Sequence, residues 1–149
     1  MTYADETVVR AIEQSVIPVQ VPTLDPASAP IIKRFQQVWT PTIMLLSPEG
    51  NVYDEWNGYL PPGLFLPRLL LGLGKVALKE DRLDDAACCF DEVGVKYPLS
   101  DVAPEALYWA AVSRYKGSHQ AEDLLGGWKK LQSRYPESAW RVRQSFTEQ

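Results

Sequence analysis

The chain has 149 residues, of which 46% are hydrophobic and 23% charged, as in one globular domain or two small joined ones. Fifteen Lys and Arg against nineteen Asp and Glu give a net charge of −4, a balance that does not favour nucleic acid or an anionic membrane surface as partner. Cys88 and Cys89 are adjacent and His119 has no Cys or His at ligand spacing, so neither a disulfide framework nor a zinc site is expected.

The start, Met1 to Glu6, has no basic and no apolar targeting region. The most apolar run, Leu64 to Leu73, is interrupted by Pro67 and Arg68 and is shorter than the about 20 residues that span a bilayer. These features suit a cytoplasmic protein that uses no cofactor and contacts neither membrane nor nucleic acid.

In chain order, Val8, Ile12 and Val16 recur at spacing four and predict a helix over 5–15, capped by Asp5. Ile17-Pro18-Val19-Gln20-Val21 reads as a short strand with proline near its start. Ser28 and Pro30 open a second helix that runs to about Gln37, with Ile31, Ile32 and Phe35 facing inward. Thr42 to Leu46 is an apolar strand, Pro48-Glu49-Gly50-Asn51 a turn, and Val52 to Trp56 a half-polar second strand. Strand, helix, strand and hairpin together predict a β-α-β crossover with an antiparallel edge.

Pro61-Pro62 begins a long helix with Leu64, Phe65, Leu69, Leu73 and Val76 on a broad apolar face; Gly72 and Gly74 within it suit close helix approach. Leu83 to Tyr97 is the next helix, stopped by Pro98. The last third is rich in aromatic residues at helical spacing, and Ser138 to Phe146 suits a short terminal helix.

Thr40-Pro41-Thr42, the apolar strand after it, the Pro/Gly hairpin and Gly58-Tyr59 before a helix resemble the C-terminal half of a thioredoxin-like domain, over roughly residues 5–75. In that family the proline is cis, and its loop faces the redox cysteines and helps hold substrate backbone. This chain departs from it in having no Cys-x-x-Cys; the resemblance implies an active-site strand lying before Met1. Further on, Leu70, Leu73, Gly74 and Ala77 are followed by Ala86, Phe90 and Pro98. Tyr108, Ala111, Val112 and Tyr115 are likewise followed by Leu124, Trp128 and Pro136. Both sets resemble the tetratricopeptide (TPR) pattern of a two-helix repeat. Pro98 and Pro136 lie 38 residues apart, so Leu99 to Val102 reads as a short insertion. Two repeats fall short of the ~3 that normally bury a core, so the sheet segment is expected to cap one end.

The fold class expected is therefore α/β + α: a truncated thioredoxin-like sheet with helices over 1–64, then TPR-like helical hairpins over 62–149, sharing a helix at about 62–80. Arg68, Lys75 and Lys79 line one face of that helix; with Trp109 and Lys116 they would form a groove for an acidic peptide, or else a solvated face. Thr40 and Pro41 would form the family's peptide-docking loop, or else simply position the strand. Adjacent residues on a helix point apart, so Cys88-Cys89 reads as structural. The expected function is a non-catalytic protein-interaction module whose partner is another protein or peptide. The alternative is a remnant or fragment of a thiol-disulfide oxidoreductase whose Cys-x-x-Cys portion lies upstream of Met1.

The resemblance also leaves a vacant place between the Ile17–Val21 and Thr42–Leu46 strands. Direct pairing of the two is the expected outcome, association of copies through the vacant place the next, and disorder of the first third the last. A buried empty slot is excluded, because orphaned backbone groups are costly.

Overall fold

The computed structural model describes residues 2–144. Helix α1, Glu6–Ser15, starts where expected: the Asp5 carboxylate accepts from the Thr7 and Val8 amides at 3.0 and 3.1 Å. These are donors the first turn would otherwise leave unsatisfied. Val8 is fully buried, and Ile12 and Val16 pack beside it. Thr2 ties the start of the chain down, its hydroxyl donating to the Leu60 carbonyl at 2.5 Å.

The strand expected over Ile17–Val21 is not formed. The segment has no backbone hydrogen bond among the described residues, and Ile17 and Val19 are 92% and 80% exposed. Pro18 and Pro22 remove two of the amides on one side of it, so it is unfit for the interior of a sheet. The β-α-β crossover is therefore absent, and so is the direct pairing with Thr42–Leu46.

Helix α2, Ala29–Arg34, ends short of Gln37. Ser28 makes no side-chain cap; Asp25 instead caps the single 3₁₀ turn Pro26–Ser28, accepting from the Ala27 amide at 2.9 Å. Ile31 is exposed rather than inward, while Ile32 and Phe35 are half-buried.

Strands β1, Thr42–Leu46, and β2, Val52–Asn57, form the antiparallel hairpin read from the sequence. Gly50 takes φ +82° in the connecting turn, a conformation glycine adopts without cost. Ile43 faces Trp56 and Leu45 faces Asp54, but Leu46 faces Val52, so Tyr53 is an extra residue that bulges out of β2.

Helix α3, Pro62–Lys79, carries proline at its first position, where a missing amide is harmless. It takes part in two apolar clusters. Phe65 and Leu69 join Val8, Leu45 and Trp56 on one side; Leu71 and Ala77 join Ala86, Phe90, Val93 and Ala106 on the other. Gly72 and Gly74 permit both approaches. A Cβ built on Gly72 would stand 2.5 Å from the end of Leu45, and one on Gly74 2.5 Å from the Phe90 ring.

Helices α4, Leu83–Lys96, α5, Ala103–Ser118, and α6, Ala121–Arg134, continue from α3, each packed on the one before. Gly127 of α6 lies directly against Ala111 of α5. The Tyr135 hydroxyl donates to the Pro98 carbonyl at 2.7 Å and so joins the ends of α6 and α4. A short α7, Ala139–Val142, is capped by Ser138 and packs on α5 and α6; the rest of the helix expected to Phe146 lies outside the described residues. The result is helix-rich, with a small two-stranded antiparallel sheet, and among the described residues no helix is long and apolar enough to cross a membrane.

Glycine substitutions should therefore act with opposite signs. Gly74→Leu overpacks the Phe90 contact and should cost about 1–3 kcal/mol in a urea melt. Gly126→Ala meets open space in a helix interior and should stabilise by about 0.5–1 kcal/mol. Equal melts for Gly74→Leu and the parent would show that α3 and α4 do not approach as described.

Candidate functional site

The basic stripe of α3 meets its partners inside the molecule. Alternation along a strand puts Asp54 on the same face of β2 as the buried Trp56, so a carboxylate is carried against α3. Arg68 donates to Asp54 Oδ2 at 2.5 Å and lies over the Trp56 ring, 4.6 Å from its centre. Lys75 stands between two acids, 3.4 Å from Asp54 and 2.7 Å from Glu105 of α5. Glu105 in turn accepts from Trp109 Nε1 at 3.3 Å. Arg68, Lys75, Asp54 and Glu105 are all largely removed from water, where attraction between charges is stronger than at a wet surface.

The outermost atoms of the stripe cap the sheet. Arg68 Nη2 donates to the Glu55 carbonyl at 3.1 Å, and Lys79 Nζ donates to the carbonyl of the bulged Tyr53 at 2.5 Å. Lys116 is apart from these; it pairs with Asp81 at 3.3 Å across the exposed α3–α4 turn. Of the residues expected to form a groove, Arg68, Lys75 and Trp109 are thus brought together through Asp54 and Glu105. Lys79 caps a strand edge, and Lys116 lies elsewhere.

Thr40 and Pro41 stand at the open end of the hairpin, joined by a cis peptide bond. The loop is pinned from three directions. Gly58 N–H donates to the Pro41 carbonyl at 2.8 Å, and the Trp39 carbonyl accepts from Thr42 Oγ1 at 2.7 Å and Gln37 Nε2 at 2.9 Å. Thr40 keeps its own amide and carbonyl without a partner among the described residues. Trp39, its neighbour in sequence, is exposed, and so is Tyr59, which follows Gly58.

Cys88 is exposed and Cys89 half-buried on α4, with no disulfide between them. Burial pushes the Cys89 thiol up, and neighbouring Cys88 adds to the effect; this is the opposite of what a redox nucleophile needs. The aromatic residues of the C-terminal half pack on one another: Tyr108 stacks on Trp128 and touches Trp109 and Trp140, with Arg143 over the Trp140 ring.

Reading the sequence missed the acids Asp54 and Glu105. For Asp54 the signal was present, since its parity with Trp56 put a charge on a buried face. For Glu105 none was, because the pairing crosses from one hairpin to the next. In comparisons with known proteins, no family model matches the chain, and no curated protein or solved structure matches it.

Removing Asp54 leaves Arg68 and Lys75 short of an acceptor. Asp54→Ala should lower stability by about 2 kcal/mol in denaturant unfolding, and an unchanged midpoint would show that the network is idle. Iodoacetamide at neutral pH should label Cys88 well before Cys89, as followed by peptide mass. Because the raised Cys89 pKa lowers its thiolate fraction at a given pH, its labelling should accelerate only as pH rises; equal rates at the two thiols would contradict the burial described.

Proposed function

We propose that the chain is a protein-interaction module without catalysis of its own, of the thioredoxin-like/TPR type that the sequence resembles. The observation that carries this reading is where the repeat-like residues lie. Gly74 and Phe90 interlock at the α3–α4 contact, and Ala86 and Phe90 are fully buried. A helical-hairpin repeat requires small and large residues at such places, and repeat stacks of this kind serve as extended binding surfaces. On this reading residues 1–64 form the thioredoxin-like segment, 62–149 the hairpins, and α3 belongs to both.

The peptide-holding role falls to Thr40 and Pro41 rather than to the basic stripe. Arg68, Lys75 and Lys79 are engaged by the fold's own acids and carbonyls, so a charged peptide would have to displace them. Thr40 offers a backbone donor and acceptor without a partner among the described residues, next in sequence to the exposed Trp39, the combination that an extended apolar peptide requires.

Selection from a random peptide-display library on the immobilised chain should enrich extended sequences with an aromatic or aliphatic residue. Trp39→Ala should abolish the enrichment. Insulin reduction by dithiothreitol should proceed at the same rate with and without the protein. Acceleration that disappears in Cys88→Ser/Cys89→Ser, or no enrichment at all, would overturn the proposal.

A further inference from the structure

The two edges of the sheet are treated differently. Along β2, the outward carbonyls of Tyr53 and Glu55 are taken by Lys79 and Arg68. Along β1, nothing comparable happens. The bonds Gly58 N–H to Pro41 and Ser47 N–H to the Asn51 carbonyl turn residues 41, 43, 45 and 47 toward β2. Thr42, Met44 and Leu46 therefore aim their amides and carbonyls the other way, and none has a backbone partner among the described residues. The bulge lies on β2, so this free edge is regular. It carries no charge and no proline within Thr42–Leu46, and so lacks the usual devices that keep an edge from pairing.

The same chain carries a segment that fits this edge. Ile17, Val19 and Val21 share one side of an extended segment and offer three amides and three carbonyls, the number presented by Thr42, Met44 and Leu46. The opposite side has lost two amides to Pro18 and Pro22. The segment is uncharged, without a backbone bond, and leaves α1 at Val16 in an extended conformation. Its flanks are committed elsewhere: α1 to α3, and α2 to the hairpin tip, where Arg34 donates to the Glu49 and Gly50 carbonyls at 3.4 Å each. In the single chain it stays off its own β1.

We propose that two copies of this chain associate by exchanging the Ile17–Val21 segment, each adding it as a third, antiparallel strand to the β1 edge of the other. Ile17 then faces Leu46, Val19 faces Met44 and Val21 faces Thr42. Side chains of directly opposed residues lie on one face, so the exposed Ile17 and Val19 gather with Leu46 and with Val52, which already faces Leu46 across the hairpin. The exchange is isologous and closes at two copies. Growth past two is blocked because the outer side of the added strand lacks the Pro18 and Pro22 amides, while β2 is capped by cations.

Sedimentation of the full chain over a range of concentrations, with hydrogen exchange at each, tests the exchange. The expected result is a monomer–dimer equilibrium in which protection of the Ile17, Val19 and Val21 amides and of the Thr42, Met44 and Leu46 amides rises together with dimer fraction. Val19→Pro removes the central donor and should weaken dimerisation about tenfold or more. Gln20→Pro, on the unused side, should leave it unchanged; both residues are exposed and free of backbone bonds in the single chain, so both variants should keep the parent's helical signal and melt. Four results would overturn the proposal: a monomer at every concentration, protection independent of concentration (pairing within one chain), a dimer indifferent to Val19→Pro, or equal weakening by both variants.

Discussion

Two glycines on α3, Gly72 and Gly74, with Leu73 between them, set the architecture. Positions 72 and 74 project about 200° apart around a helix, so clearing the side chain from each opens opposite flanks. Leu45 of the hairpin moves into one opening and the Phe90 ring of α4 into the other. A helix with ordinary side chains at both places would hold the sheet and the helical hairpins farther off, and the two apolar clusters that α3 joins would lose their closest contacts. Glycine lowers helix propensity by up to about 1 kcal/mol per residue; the packing on both flanks offsets that cost.

Charge reinforces what the glycines allow. Asp54 lies beside Gly72, its carboxylate within 3.0 Å of where a Cβ would stand, and from there reaches Arg68 and Lys75. Lys75 carries the link onward to Glu105 of α5. The stripe of cations that would suit an acidic ligand is therefore part of the scaffold, held by the fold's own acids and carbonyls. This is why the Trp39–Thr40–Pro41 loop, rather than the basic face, bears the weight of the functional proposal.

How much of this was legible depended on the range of the interactions. Local signals read well: the Asp5 cap, the hairpin with its Gly50 turn, the Pro62 start and Pro98 stop all stand where the residues indicated. Gly74, Ala86 and Phe90, singled out together by the resemblance to a two-helix repeat pattern, are buried where α3 meets α4. Two kinds of information were not local. Ile17 to Val21 has strand composition, but a strand exists only with a partner, and nothing in those five residues says that β1 is out of reach. Arg68, Lys75 and Lys79 look like a solvated stripe until Asp54, Glu105 and the Tyr53 carbonyl are brought to them from 14 to 30 residues away in sequence.

The bond from the Thr2 hydroxyl to the Leu60 carbonyl spans 58 residues, whereas the contacts between successive helices from α3 to α6 close only short loops. The molecule is consequently graded in its resistance to opening. Elements held by neighbours near in sequence reclose at small entropic cost, while α1, joined to the rest through a long excursion and one apolar face, must recover a much larger loop each time it leaves. A release of α1 alone would uncover Val8's place against Leu45 and Trp56 and leave the contacts that join α4, α5 and α6 in place.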